Sequence, residues 1–213
     1  MSGRVRPDSA NRLIVEGRDD QWSIIALTSL HGWDWNGPSE QLPFIDNAEG
    51  VDKALEAIAV SVRTYSRVGI VLDADLALTN RWNAVCARLS PLGFPMPASP
   101  AHDGTIIHAN GKIVGVWLMP DNQAAGKLED FLAVLVPKGT KSWPWAEQVA
   151  SAAKAIYDAN FSDPDLIKAQ IHTWLAWQRE PGLPFGTAIR AAAFAHDAPL
   201  AIKFVDWLTR LYF

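Results

Sequence analysis

The stretch Arg67-Val68-Gly69-Ile70-Val71-Leu72-Asp73-Ala74-Asp75 decides how this 213-residue chain is read. Its apolar, β-branched centre is too short for a helix, reads as a buried strand, and closes on two carboxylates. Upstream, Leu13-Ile14-Val15 runs in the same way into Glu16-Gly17, with Asp20 four residues beyond Glu16. In an open parallel α/β sheet the C-terminal strand ends share one edge, so acids distant in sequence can meet there. Converging carboxylates with no nearby base to neutralise them ask for a divalent cation. The Asp73-x-Asp75 spacing also places both side chains on the same side of an extended segment.

Outward from these runs, strand-like and helix-like segments alternate. Asp20 to Leu30 spaces Trp22, Ile24, Ile25, Leu27 and Leu30 as a helix does, and Gly32 and Gly37-Pro38 interrupt it. Pro43-Phe44-Ile45 is a short apolar run. Val51 to Tyr65 carries Leu55, Ile58, Ala59 and Val62 on one helical stripe, and Asn80 to Leu89 is a further helix after the central strand. Such alternation favours a mainly parallel sheet flanked by helices. Asn110-Gly111, between Thr105 to His108 and Lys112 to Met119, suits the positive φ angles of a tight turn and predicts an antiparallel hairpin whose second arm joins the sheet. That arm ends at Pro120-Asp121-Asn122, a loop on the acidic edge, and the helix from Gly126 to Leu135 holds Glu129 and Asp130 in its first turn.

From Pro137 onward the pattern is all helix: Trp143 to Asn160, Pro164 to Arg179, and Gly186 to Tyr212 with a break at Pro199. Ala201, Phe204, Val205, Leu208 and Leu211 line one face of the last piece. That face is expected to pack on the sheet, with a homodimer interface as the alternative.

Composition bounds the function. Apolar residues make up 49% and charged residues 20% of the chain, and no run approaches the roughly 20 apolar residues of a membrane span. The basic start, Met1 to Asp8, lacks an apolar stretch and cleavage site, and the single cysteine, Cys86, allows no internal disulfide, so a cytoplasmic setting is expected. A net charge of -4 speaks against nucleic-acid binding through bulk positive charge, although a bound metal can supply the potential an acidic protein lacks. Most of the ten tryptophans are expected in the core, and the five histidines show no metal-ligand spacing.

Several strand-end acidic sites can be tested on the residues. Phosphatases that form an aspartyl phosphate place Thr or Val two residues after the second Asp, where this chain has Ala77. No phosphate-binding Gly-x4-Gly-Lys-Ser/Thr and no Gly-x-Ser-x-Gly elbow is present. Ile14-Val15-Glu16-Gly17-Arg18-Asp19-Asp20 and Val71-Leu72-Asp73-Ala74-Asp75, in that order, resemble the two motifs of the Toprim domain shared by topoisomerases, bacterial primases and the overcoming-lysogenization-defect nucleases. The chain also resembles a Toprim-like group of bacterial proteins through Met119-Pro120-Asp121-Asn122, Leu128-Glu129-Asp130 and His172-Thr173-Trp174-Leu175-Ala176-Trp177-Gln178.

The resemblance implies a Toprim (Rossmann-like) α/β domain over residues 10–136, with a hairpin insertion, and an all-helical extension over 137–213 packed on it. It implies that Glu16, Asp20, Asp73, Asp75 and Glu129 bind Mg2+ or Mn2+, with Glu16, Asp73, Asp75 and Lys168 acting in catalysis and Lys127 or Arg18 as further cations. Tyr65, Tyr157 and Tyr212 stand in no DNA-cleavage context, which disfavours topoisomerase chemistry, and the chain has no room for a primase platform. Metal-dependent phosphodiester cleavage of DNA or RNA remains as the expectation, in a defence or repair system with an ATPase acting in trans. The alternative is a non-catalytic Toprim module that docks a nucleic-acid-processing partner.

Overall fold

A computed structural model describes residues 9–37 and 40–213; the basic start at Met1 to Asp8 and Pro38 of the expected turn lie outside the described residues. Among the described residues five strands form one sheet: β1 (Asn11–Val15), β2 (Phe44–Asn47), β3 (Arg67–Asp73), β4 (Thr105–Ala109) and β5 (Lys112–Met119). Their order is β2-β1-β3-β5-β4, with β4 antiparallel to β5 and every other pairing parallel. Asn110 and Gly111 both take positive φ, at 52° and 71°, which closes the β4–β5 hairpin tightly.

Among the described residues eight α-helices surround the sheet: α1 (Arg18–Leu30), α2 (Val51–Thr64), α3 (Leu78–Leu89), α4 (Leu128–Val134), α5 (Ser142–Ile156), α6 (Leu166–Leu175), α7 (Phe185–Arg190) and α8 (Pro199–Tyr212). The strand side chains alternate between two cores. Ile14, Val68, Ile70, Leu72, Val114, Val116 and Leu118 pack with α2 and α3, whereas Leu13, Val15, Val71, Trp117 and Met119 pack with α1 and the helices from α4 onward. The protein is thus an α/β structure with a mainly parallel sheet covered on both faces, compatible with a Rossmann-like fold. Among the described residues no helix is long and apolar enough to cross a membrane.

The C-terminal helices share the core of the sheet. Gly69 and Gly115 are register partners on β3 and β5. A Cβ on Gly69 would come within 2.5 Å of the Tyr212 hydroxyl, and one on Gly115 within 2.6 Å of Leu211, so the pair opens the trough in which α8 lies. The buried Tyr212 hydroxyl donates to the Arg12 carbonyl at 2.6 Å and accepts from the Gly69 N–H at 3.1 Å. Ala201, Phe204, Val205, Leu208 and Leu211 are all buried, so the apolar stripe of α8 is covered within the chain. Tyr212→Phe leaves two buried backbone groups without their partner and should cost about 1–3 kcal/mol. A urea midpoint equal to that of the wild type would disprove this anchoring role.

Several helix limits differ from the sequence pattern. Pro199 begins α8 rather than breaking a long helix, because proline's fixed φ and missing N–H suit a first helical position. The preceding helix is only Phe185–Arg190, since Ala192 takes φ 58° and turns the chain. Trp35, Trp82, Trp117, Trp174 and Trp207 are core residues, but Trp145 and Trp177 are 58% and 43% exposed.

Candidate metal centre at the strand ends

The site follows from the winding of the sheet. The chain leaves β1 through α1, which packs in one core, and returns from β2 through α2, which packs in the other, to place β3 beside β1. Strand order therefore reverses between β1 and β3, and a crevice opens outside their C-terminal ends. Glu16 follows the last residue of β1, and Asp73 is the last of β3.

Backbone N–H groups hold the acids in place. Glu16 Oε1 accepts from the Asp73 N–H at 2.8 Å, which ties the two strand ends together. Asp73 Oδ1 accepts from the Leu128 N–H at 3.0 Å, in the first turn of α4. Asp20, at the third position of α1, reaches back to the Gly17 N–H at 3.0 Å and so caps the helix that carries it. Asp130 caps α4 in the same manner through the Lys127 N–H at 2.8 Å, which accounts for it without a role in the cluster. Glu129, one position earlier, is 7% exposed and forms an ion pair at 3.4 Å with Lys168 of α6.

Electrostatics show that four of these acids face one another. Burial, then the charges of Asp20, Glu16 and Glu129, push the Asp73 carboxyl up to about 9 against the Leu128 hydrogen bond. Burial and the charge of Glu16 raise Asp20 to about 7. Glu16 is also raised, chiefly by burial, although the Asp73 N–H and the charges of Arg81 and Lys127 oppose the shift. Asp20 and Glu129 are buried and Glu16 and Asp73 half-buried, and the charges of Asp20, Glu16 and Glu129 all act on Asp73.

Asp75 departs from the expected geometry. The strand stops at Asp73, Asp75 takes φ 52°, and its backbone exchanges hydrogen bonds of 2.9 and 2.8 Å with Gly126. Asp75 forms an isolated bridge to Gly126 with a left-handed φ, so it does not continue the strand that ends at Asp73, although its charge still raises Glu16. The Asp75 carboxylate pairs with Arg81 at 2.5 Å, and Arg81 also donates through Nε to the Asp73 carbonyl at 2.7 Å. Sequence reasoning missed Arg81, whose only signal was its place in the first turns of the helix after Asp75. Arg81→Met should cost about 1 kcal/mol by leaving the Asp73 carbonyl without its side-chain donor, the Asp75 carboxylate being open to water. It should also slow any chemistry at Glu16 by about 10- to 100-fold, as loss of a supporting partner does. Wild-type urea stability together with wild-type turnover would remove Arg81 from the site.

The loop after β5 is structural. Asn122 Oδ1 accepts from the Leu118 N–H at 2.7 Å, and Asp121 Oδ1 accepts from the N–H groups of Gln123 and Ala124 at 3.0 and 2.9 Å. His31 and His196 meet with ring centroids 5.5 Å apart, and His31 Nε2 lies 2.9 Å from the His196 carbonyl oxygen. An all-oxygen donor set on four elements is chemically suited to Mg2+ or Mn2+. Among the described residues, however, no three His, Cys, Asp or Glu side chains are already drawn close enough to hold an ion. The acids are gathered but not closed on a common point.

The profile of a family described as a protein of unknown function, DUF3226, matches residues 10–213. The chain belongs to the DUF3226 family. No curated protein and no solved structure matches it. The matched span of this DUF3226 protein takes in β1 through α8, and so both the acidic edge and the helices that supply Lys168.

Proposed function

We propose that this protein is a Toprim-like, Mg2+- or Mn2+-dependent phosphodiester-cleaving protein acting on DNA or RNA. One observation carries the proposal: Glu16 and Asp73 end neighbouring parallel strands at the switch point and are joined by the Asp73 N–H on Glu16 Oε1 at 2.8 Å, with the buried Asp20 and Glu129 beside them. Concentrated negative charge of this kind is costly unless a cation neutralises it. When bound, a divalent ion supplies Lewis-acid polarisation of a phosphodiester oxygen and makes water more acidic.

The chain's own residues divide the remaining work. Asp73, Asp20 and Glu129 supply oxygen donors, each placed by a helix start or a strand end. Glu16, raised by burial and tied by one oxygen to the Asp73 N–H, suits a general base that takes a proton from an attacking water. Lys127 lies near enough to act on the charge of Glu16, and Lys168 pairs with Glu129, so both can offset charge on a phosphodiester. Asp75 contributes through its turn and its Arg81 pair more than as a donor.

The proposal is tested by a cleavage screen with Mg2+ and Mn2+ against single- and double-stranded DNA and RNA, alongside calorimetric titration of each metal. Cleavage by the wild type and not by Asp73→Asn is the expected result. Absence of metal binding would instead favour a module that docks a partner. Metal binding without cleavage, followed by activity once a separate ATPase is added, would place the protein as the nuclease component of a two-part system.

A further inference from the structure

Beside the acidic group lies a cleft of about 820 Å3, bounded by the β3–α3 turn, the start of α4 and the start of α6. Its size falls within the range of small-molecule sites. Arg81 stands on its wall and donates through Nε to the Asp73 carbonyl at 2.7 Å, so the cleft adjoins the carboxylates.

The charged groups on this wall are already spoken for. Asp75 pairs with Arg81, Lys127 with Asp165, and Asp163 with Lys154, while Asp130 accepts from a backbone N–H. Between them the wall is apolar, with Leu76, Pro164 and Ile167 facing the same space, and Leu76 is 83% exposed although it adjoins a buried site. Asn80 and Gln170 also line the cleft, and an amide side chain brings both donors and an acceptor. The two cations of the cleft, Arg81 and Lys127, each have a carboxylate partner, so the space between them carries little free charge. An uncharged planar ring with a hydrogen-bonding edge matches apolar walls and two amides.

We propose that this cleft receives an unstacked nucleobase of the strand whose phosphodiester lies at Glu16 and Asp73, which makes single-stranded nucleic acid the substrate class. The proposal rests on the phosphodiester-cleaving function for the neighbouring site. A duplex keeps its bases paired and stacked, whereas a single strand can turn one out against an apolar surface. The substrate is thereby selected by a pocket for the base, in a protein whose net charge of -4 offers little general attraction for the backbone.

Fluorescence anisotropy of the full chain in EDTA, with a labelled strand of about 12 nucleotides and its blunt duplex, tests this without cleavage. The single strand should bind about tenfold or more tightly than the duplex, the scale expected for one stacked base. Leu76→Glu puts a charge on the neutral wall at an exposed position and should weaken single-strand binding about tenfold, whereas Leu76→Phe should retain it. Equal affinity for the two nucleic acids, or unchanged single-strand binding by Leu76→Glu, overturns the proposal. Hydrolysis of bis(p-nitrophenyl) phosphate by the wild type in Mn2+ reports on the acidic group separately. Its absence together with a preserved single-strand preference would rule out cleavage by the isolated chain and leave the base pocket supported.

Discussion

Asp73→Asn should lower metal-dependent cleavage by about a thousandfold or more while leaving the fold intact. Asn has nearly the same shape, and its amide oxygen can still accept from the Leu128 N–H that Asp73 Oδ1 accepts from at 3.0 Å. What changes is one negative charge at the position where the fields of Asp20, Glu16 and Glu129 overlap. Glu16→Gln should have an effect of similar size, because its oxygen still ties the Asp73 N–H while its capacity as a base is gone. Asp75→Asn should cost much less, since Asp75 is bonded to Arg81 and its backbone bridge to Gly126 does not depend on its side chain. Single-turnover rates with saturating Mn2+ separate these cases. Equal losses for Asp73→Asn and Asp75→Asn would contradict the division between the acidic group and the turn beside it.

The metal-free protein should become less stable as pH rises through neutrality. Asp20 at about 7 and Asp73 at about 9 both exceed their unfolded values near 4, and Glu16 shifts in the same direction. The folded state therefore binds more protons than the unfolded chain between roughly pH 4 and pH 9. Stability is highest with these groups protonated, and it falls as each is forced to ionise while buried. A Tm drop of roughly 5–10 °C between pH 5 and pH 9 in EDTA corresponds to a few kcal/mol at this chain length. Asp73→Asn removes the group with the largest shift and should flatten the profile, gaining stability at pH 8 in EDTA although it disables the site. Mn2+ should act in the opposite sense to pH, because it binds the ionised carboxylates. A hundredfold excess over Kd adds about 2.7 kcal/mol, or roughly 5–10 °C in Tm, at pH 8 and much less at pH 5. Tryptophan fluorescence melts across this range, with EDTA or Mn2+, measure both effects. A Tm that rises with pH in EDTA is incompatible with a buried, unneutralised acidic group.

Much of the fold is legible in short stretches of the chain. The run Val68 to Leu72, the hairpin turn at Asn110-Gly111 and the apolar stripe of α8 are local patterns, set by side-chain period and by positive φ, and all three appear where they are expected. Glu16 and Asp73 are equally legible as strand-end acids. Arg81 is not, because its role depends on a turn at Asp75 that an extended-strand reading of Asp-x-Asp conceals. The cleft is not either, since Leu76, Lys127 and Ile167 lie far apart in the chain and nothing in their local sequence marks them as neighbours.

Taken alone, the sequence determined the strands, the helices and the acids that end them, because each is a matter of periodicity and backbone preference within a few residues. Only the tertiary structure decided the rest. It places β3 next to β1 at the switch point, brings Glu129 on α4 to the same crevice and lays α8 in the trough of Gly69 and Gly115. It also gives Asp75 an Arg81 partner while keeping its charge within reach of Glu16. Burial and mutual repulsion are properties of groups that meet in space, and it is burial and repulsion that lift Asp73 to about 9 and turn a row of strand-end acids into a candidate metal centre.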